Sequence, residues 1–339
     1  MKLTYLGGVF FLFLFQQPRT PALRLDFSEA DQAVKILGKE KENIPVLDSD
    51  WNSLFSSVPY EKLKQQEASF HNAFSNDDFR HFLQSSQEIA KTDSLVETLK
   101  AWKKTDFNKI AERVKGYLPQ GAVLCATVFP LIKLSKNSFV WGDAPEKAIF
   151  LYVNPSLSQQ QFANKVAHES HHIGMSSLEG AQNKLVAGLS DEKRAAFEWL
   201  GGFGEGEAML AAAGSPTIHP HFHDAAAAKA VWDKALLHFN GDIVSLQVFY
   251  TAILDGKLKG DDQIQQAAGP FWGTQGPWYT AGYKMCQLIE VHFGRTTLME
   301  AYMDPRKMLV LYNQAARLEN SRHHIQLALW SAAFITRLY

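Results

Sequence analysis

The apolar residues follow a helical spacing over most of the chain and a strand-like spacing only near its middle. Between Asp26 and Tyr117 they recur every three or four positions, which predicts amphipathic helices. After Leu118 they form short runs rich in β-branched and aromatic residues, which predict strands. Helical spacing then returns and continues to the C-terminus. The sequence therefore predicts a predominantly helical α+β protein, in which a small mixed sheet lies between helical N- and C-terminal parts.

The pattern also gives approximate bounds for these elements. The helices predicted before the sheet are Asp26–Leu37, Ser53–Phe74, Asp77–Ala90 and Ser94–Val114. The predicted strands are Ala122–Ile132, Ser138–Trp141 and Ala148–Val153. Three parts follow from these bounds: an N-terminal segment at residues 1–22, a helical region at 23–118, and a domain at 119–339 that contains the sheet.

A further helix is predicted directly after the last strand. Asn154 and Pro155 are typical of a turn, Ser156 or Ser158 can cap the helix, and Gly174 is expected to close it. An extended substrate is expected to pair with the edge of the preceding strand, close to this helix.

The same helix contains the motif H-E-x-x-H at His168, Glu169 and His172. Four residues span slightly more than one helical turn, so both imidazoles project from one face and can hold one metal ion. Glu169 is offset around the helix, where its carboxylate can accept a proton from metal-bound water. His171 is expected at the rim of the site or in solvent. The motif predicts a catalytic zinc site.

Catalytic zinc usually has three protein ligands, so one more is needed. Glu205 and Glu207 follow His172 by just over thirty residues and are the candidates. Two residues apart on a helix, their side chains diverge by about 200°, so only one can face the metal. The glycine-rich run Gly201–Gly204 is costly in a helix, by about 1 kcal/mol for each glycine. Close packing against the helix of the metal site would explain it.

These residues resemble those of the gluzincins, zinc metallopeptidases in which H-E-x-x-H is followed by a helix that supplies a glutamate ligand. The resemblance covers about residues 148–312 and extends to bacterial families described only as zinc-dependent peptidases of unknown function. It implies a zincin-like fold and Zn²⁺ held by His168, His172 and Glu205, because the gluzincin ligand begins a Glu-Gly-x-Ala element. The glycines before Glu205 differ from the usual Asn-Glu element.

Gluzincins commonly use a Tyr or His from their C-terminal region to stabilise the oxyanion, and the resemblance points to Tyr279 and Tyr283. They lie four apart on one helix face, and Gly282, which permits close approach of another backbone, favours Tyr283. Packing between helices is the alternative role for both. The segment His219–His223 contains three alternating histidines and is expected to be an exposed loop with weak metal affinity, or part of the active-site rim.

Composition narrows the function classes. The 339 residues are 46% hydrophobic and 20% charged, with a formal net charge of -1. No basic excess is present, so nucleic acid is not an expected partner. Cys125 and Cys286 lack metal-binding spacing and are expected as buried thiols, with a single disulfide as the alternative.

The N-terminus begins with one basic residue, Lys2, followed by an apolar run of about a dozen residues. This length is typical of an export signal, whereas a membrane span needs about 20 residues. Residues 1–22 therefore predict a periplasmic or extracellular protein. An uncleaved N-terminal anchor is the alternative, and membrane contact is expected only through this segment.

Together these features predict an exported zinc metallopeptidase that hydrolyses peptide bonds of peptide or protein substrates by Glu169-assisted attack of zinc-bound water. Two alternatives stay open. One is a catalytically silent domain braced by zinc, and the other is a metal-dependent hydrolase of non-peptide substrates. Glu169 favours catalysis, because a purely structural zinc site has no use for a carboxylate at that position.

Overall fold

The structure is a computed structural model that describes residues 22–141, 147–273 and 275–339. It is predominantly helical with a small mixed sheet, as the apolar pattern predicts. The expected export segment lies outside the described residues except for Ala22, so export and anchoring stay predictions. Within the described ranges, no helix combines the length and apolarity needed to cross a membrane.

Short helices fill the N-terminal part: α1 (Ser28–Lys41), α2 (Asp48–Phe55), α3 (Val58–Ser69), α4 (Asn76–Leu83), α5 (Ser86–Ile89), α6 (Thr92–Trp102) and α7 (Phe107–Lys115). The three longer helices predicted after α1 were wrong in length, because each is broken in two. Helix-starting residues lie at the breaks. Pro59 occupies the first turn of α3, where its missing N–H is tolerated. Asp106 accepts hydrogen bonds from the N–H groups of Asn108 and Lys109 and so starts α7.

The sheet contains β1 (Leu23–Leu25), β2 (Ala126–Leu131), β3 (Phe139–Trp141) and β4 (Lys147–Tyr152). Their order is β1-β2-β4-β3, with parallel pairs β1/β2 and β2/β4 and an antiparallel pair β3/β4. The strand β1 was not predicted from the sequence. β2 pairs along the whole of one edge of β4, whereas β3 pairs only with Ala148–Phe150 on the other, so substrate pairing with β4 stays a prediction limited to the end of the strand.

The chain after the sheet is helical: α8 (Gln159–Ser176), α9 (Glu179–Val186), α10 (Asp191–Leu200), α11 (Gly204–Ala213), α12 (Ala226–Leu236), α13 (Phe239–Leu254), α14 (Asp261–Ala268), α15 (Pro277–Phe293), α16 (Arg295–Tyr302), α17 (Pro305–His323) and α18 (Ala332–Leu338). Short 3₁₀ turns at Gly201–Phe203 and Gly269–Phe271 connect some of them.

Buried apolar residues form two clusters. The first joins the N-terminal helices, the sheet and one face of α8, and the second joins helices α10 to α18. Helix α11 contributes to both, because Ala212 belongs to the first cluster and Leu210 to the second. Helix α11 also packs against α8 and α15. The helices that carry the predicted ligands therefore meet where the two cores join.

The two cysteines and the predicted domain boundary lie outside the site. Cys286 is buried as expected, Cys125 is only partly buried, and both are free thiols, so no disulfide joins them. The predicted domain boundary between residues 118 and 119 stays a prediction.

Candidate metal centre

Helix α8 begins at a capping box. The Ser158 hydroxyl accepts a hydrogen bond from the Gln161 N–H at 3.2 Å, and the Gln161 side chain accepts one from the Ser158 N–H at 2.8 Å. Of the two predicted caps, the structure therefore selects Ser158. The prediction that Gly174 closes the helix was wrong, because α8 continues to Ser176. Gly174 serves packing instead: a Cβ there would lie 2.3 Å from a Leu118 methyl carbon.

The two histidines of the motif face each other across one helical turn. Their Nε2 atoms are 3.2 Å apart, and the ring planes are nearly perpendicular, at 80°. Both side chains are partly accessible, with exposed fractions of 15% for His168 and 29% for His172. A shared ligand can therefore approach both nitrogens from the cleft.

Helix α11 brings Glu205 to the same point. Its Oε2 lies 3.1 Å from His168 Nε2 and 3.3 Å from His172 Nε2. These three residues form the one His/Cys/Asp/Glu group, within the ranges that the structure describes, whose geometry suits a metal ion. Glu207, the other candidate from the sequence, is buried and lies outside this group.

The donor atoms fit a zinc ion. Zinc bonds of about 2.0–2.1 Å in a tetrahedron place neighbouring donors about 3.3–3.4 Å apart. The three observed separations, 3.1, 3.2 and 3.3 Å, come close to this value. Two imidazole nitrogens with one carboxylate oxygen are also a donor set found in catalytic zinc sites.

Electrostatics keep Glu205 in the form that a metal requires. Burial alone would raise the pKa of its carboxyl, but hydrogen bonds and charge interactions with His168 and His172 hold it well below its usual range. Burial would likewise lower the pKa of His172, but Glu205, followed by Glu169 and Glu207, raises it. Glu205 is therefore ionised, as a metal ligand must be.

Glu169 lies between the two histidines on α8 and is partly buried. Its carboxylate forms no hydrogen bond or ion pair with the described residues. Its charge raises the pKa of both His172 and Tyr279, so it lies near both. A carboxylate without a partner beside the cluster is available to accept a proton.

The two candidate tyrosines of α15 have different surroundings. The Tyr279 ring is parallel to that of His168, with centroids 6.1 Å apart. Burial, followed by the nearby Glu205 and Glu169 carboxylates, raises the pKa of Tyr279, so its hydroxyl stays protonated. The Tyr283 hydroxyl instead donates to the Ile218 carbonyl at 3.1 Å. The positions therefore favour Tyr279 as a donor, in contrast to the order expected from the sequence.

Glycines bring α11 and α15 together. A Cβ on Gly206 would lie 2.1 Å from the Tyr283 backbone nitrogen, and one on Gly202 would lie 2.5 Å from the Trp278 ring. Within the glycine-rich run the predicted close packing is found only at Gly202, and its partner is α15 rather than the helix of the histidines. A Cβ on Gly201 or Gly204 would meet no atom within 4 Å. Gly282 also permits this approach, since Gly206 Cα would lie 3.2 Å from a Cβ there.

His171 was expected at the rim or in solvent, and this expectation was wrong. Its side chain is fully buried, and Nε2 lies 3.2 Å from the Tyr117 carbonyl oxygen. Burial lowers the pKa of His171 to about 3, so the imidazole is neutral. The Tyr117 hydroxyl donates to Glu290, which also accepts a hydrogen bond from Arg295 at 2.8 Å. His171 thus connects the buried face of α8 to Tyr117 and, through it, to Glu290 and Arg295.

The segment His219–His223 differs from the exposed loop that was expected. His221 is buried, with Nδ1 2.6 Å from an Asp224 carboxylate oxygen, and its ring packs on Trp232. His219 pairs with Asp233 at 3.1 Å, and of the three histidines only His223 is exposed, next to the exposed Phe222. These acidic partners hold the segment in place, and its histidines are not part of the metal-binding group.

A cavity of about 500 Å³ opens at the cluster and supplies residues that sequence reasoning missed. His172 and Glu205 form one side of it, and Trp199 and Trp272 contribute aromatic surface. Only Leu200 separates Trp199 from the glycine-rich run, and this closeness in the sequence could have indicated that Trp199 belongs to the site. Trp272 lies far along the chain from the motif and carried no such signal. The size is in the range of ligand-binding pockets, about 300–1,000 Å³.

A protein family model matches most of this chain. A family model described as "Putative zinc dependent peptidase (DUF5700)" matches residues 25–321. The match confirms the resemblance to zinc-dependent peptidase families of unknown function and extends it to the N-terminal helices and to strands β2 and β3. No curated protein and no solved structure matches the chain.

Proposed function

The chain belongs to this family of zinc-dependent peptidases, and on that premise we propose that it hydrolyses peptide bonds at one zinc ion held by His168, His172 and Glu205. The observation that carries the proposal is the triangle of donor atoms with sides of 3.1–3.3 Å. Glu169 beside this triangle, without a partner among the described residues, distinguishes a hydrolytic site from a structural one.

The residues around the cluster have separate roles in this proposal. When bound, zinc supplies Lewis acidity, which polarises a carbonyl group and lowers the pKa of water toward neutrality. Glu169 accepts a proton from the attacking water and delivers it to the leaving amine. Tyr279 donates a hydrogen bond to the oxyanion that develops on the scissile carbonyl. The tryptophan-lined cavity next to His172 and Glu205 receives the peptide.

Metal content tests the first half of the proposal. Zinc per chain is measured on the full-length protein and on His172→Ala. We expect about one zinc ion per wild-type chain and a large loss in the variant, because one of three ligands is removed. A wild-type protein that stays free of zinc after reconstitution would refute the proposal.

Glu169→Gln tests the second half. Removing the proton acceptor is expected to lower hydrolysis of a quenched-fluorescence peptide library by about 10²–10⁴-fold, with zinc content unchanged. Glu97→Gln, which changes an exposed carboxylate on α6, is the control and should leave hydrolysis intact. If Glu169→Gln hydrolyses peptides as fast as wild type, Glu169 is not the base.

A further inference from the structure

A second cavity, of about 340 Å³, lies on another side of His172. It is enclosed by the end of α8, by α9 and α10, by α11, and by the junction of α16 and α17. It shares His172, Glu198 and Gly201 with the tryptophan-lined cavity. A peptide held at the cluster can therefore direct a side chain into it.

One buried polar group in this cavity lacks a partner. Glu207 is 5% exposed, and its carboxyl group forms no hydrogen bond or ion pair within the described ranges. The Tyr302 hydroxyl also lines the cavity and interacts with the Cys286 thiol, but it has no nitrogen or oxygen partner among the described residues. Because a buried carboxyl group without a partner is costly, Glu207 indicates that a ligand supplies the missing partner.

The charges around the cavity show which ligand fits. Glu179 and Glu198 line it as exposed carboxylates, whereas no lysine or arginine does, and Glu207 adds a buried carboxyl group. Two cations adjoin residues that line it. Arg306 follows Pro305 and pairs with Asp304 at 2.8 Å, and Lys147 donates a hydrogen bond to the Ser176 hydroxyl. The cavity therefore attracts a positive group.

The apolar walls suit a long side chain that ends in that charge. Met175, Val186, Phe197 and Leu200 contribute apolar surface. Lysine and arginine bury an aliphatic stem along such surface and carry the charge at its tip. The apolar walls match the aliphatic stem of lysine or arginine, and the carboxyl groups match its charge.

We propose that this cavity is a specificity pocket that receives a lysine or arginine side chain of the substrate, flanking the scissile bond, with its cationic group paired to Glu207. The Tyr302 hydroxyl then lies beside the same group, and Glu179 and Glu198 attract it to the mouth. This inference rests on the proposed function, since it assigns part of the substrate of the same site.

A binding measurement tests the pocket independently of catalysis. The full-length Glu169→Gln protein, loaded with zinc, is titrated calorimetrically with two capped pentapeptides that differ only in lysine or norleucine at the central position. We expect the lysine peptide to bind at least tenfold more tightly. Adding Glu207→Gln should abolish this difference, and adding Asp191→Asn, an exposed carboxylate on α10 outside the cavity, should preserve it.

Hydrolysis by the wild-type protein gives the second readout. Cleavage of the lysine peptide with at least tenfold higher kcat/KM than the norleucine peptide supports the pocket. Equal binding and equal cleavage of the two peptides overturn it, and so does a loss in Glu207→Gln that is the same for both. If neither peptide is cleaved and no zinc is bound, the proposed function fails. In that case the same titration on the zinc-free protein decides the pocket.

Discussion

Gly206→Ala tests the packing that positions Glu205. An added Cβ would lie 2.1 Å from the Tyr283 nitrogen and 2.5 Å from Gly282 Cα. Ordinary contacts begin at 3.4 Å, so the shortest distance falls short by about 1.3 Å. Both contacts are with backbone atoms, and no flexible side chain can move aside. Helices α11 and α15 must therefore separate.

Two opposing effects set the change in the free energy of unfolding. Replacing glycine by alanine in a helix stabilises a protein by about 0.5–1 kcal/mol when the space is free. Overpacking a tightly packed interior costs about 1–3 kcal/mol and occasionally more. At Gly206 the clash outweighs the propensity gain, whereas Gly204→Ala on the same helix meets no atom within 4 Å. The two variants should differ by about 2 kcal/mol or more in the free energy of unfolding.

The assay is urea denaturation of the metal-free proteins, because bound zinc would add its own stabilisation. Zinc content is then measured on the same variants. Gly206→Ala should also bind zinc more weakly, since the shift of α11 moves Glu205 away from the two histidines. If Gly206→Ala is as stable as Gly204→Ala, the close backbone contact between α11 and α15 does not exist.

Three further predictions concern single side chains. Glu205→Gln should reduce zinc occupancy strongly and Glu207→Gln little; the reverse order in metal analysis would reassign the ligand. Tyr279→Phe should lower kcat by about 10²–10³-fold, the usual loss of an oxyanion donor, while Tyr283→Phe should change it far less; equal losses in steady-state kinetics would contradict this. Burial raises the pKa of Glu29 to about 8, so the folded state retains a proton that the unfolded state loses above about pH 4.5. The free energy of unfolding should fall as pH rises from 5 to 8, by up to about 1.4 kcal/mol per pH unit. In Glu29→Gln this contribution should be absent, and parallel pH profiles for the two proteins would refute the assignment.

Local patterns determined the elements around the site. The start of α8 at Ser158 was among the two predicted caps, because a capping box involves residues only three apart. The shared face of His168 and His172 follows from the helical repeat, which acts over a single turn. The strands of residues 126–152 also appeared as short apolar runs. In each case the deciding interactions join residues close in sequence.

Tertiary packing decided the rest. The choice between Glu205 and Glu207 depends on how α11 sits between α8 and α15, and on residue spacing alone both stayed open. His171 is buried because the backbone at Tyr117, 54 positions earlier, closes over it. The pocket around Glu207 and Tyr302 joins helices separated by almost a hundred residues. A sequence pattern reports which residues share a face of one element, whereas a site between elements requires contacts that only the folded chain makes.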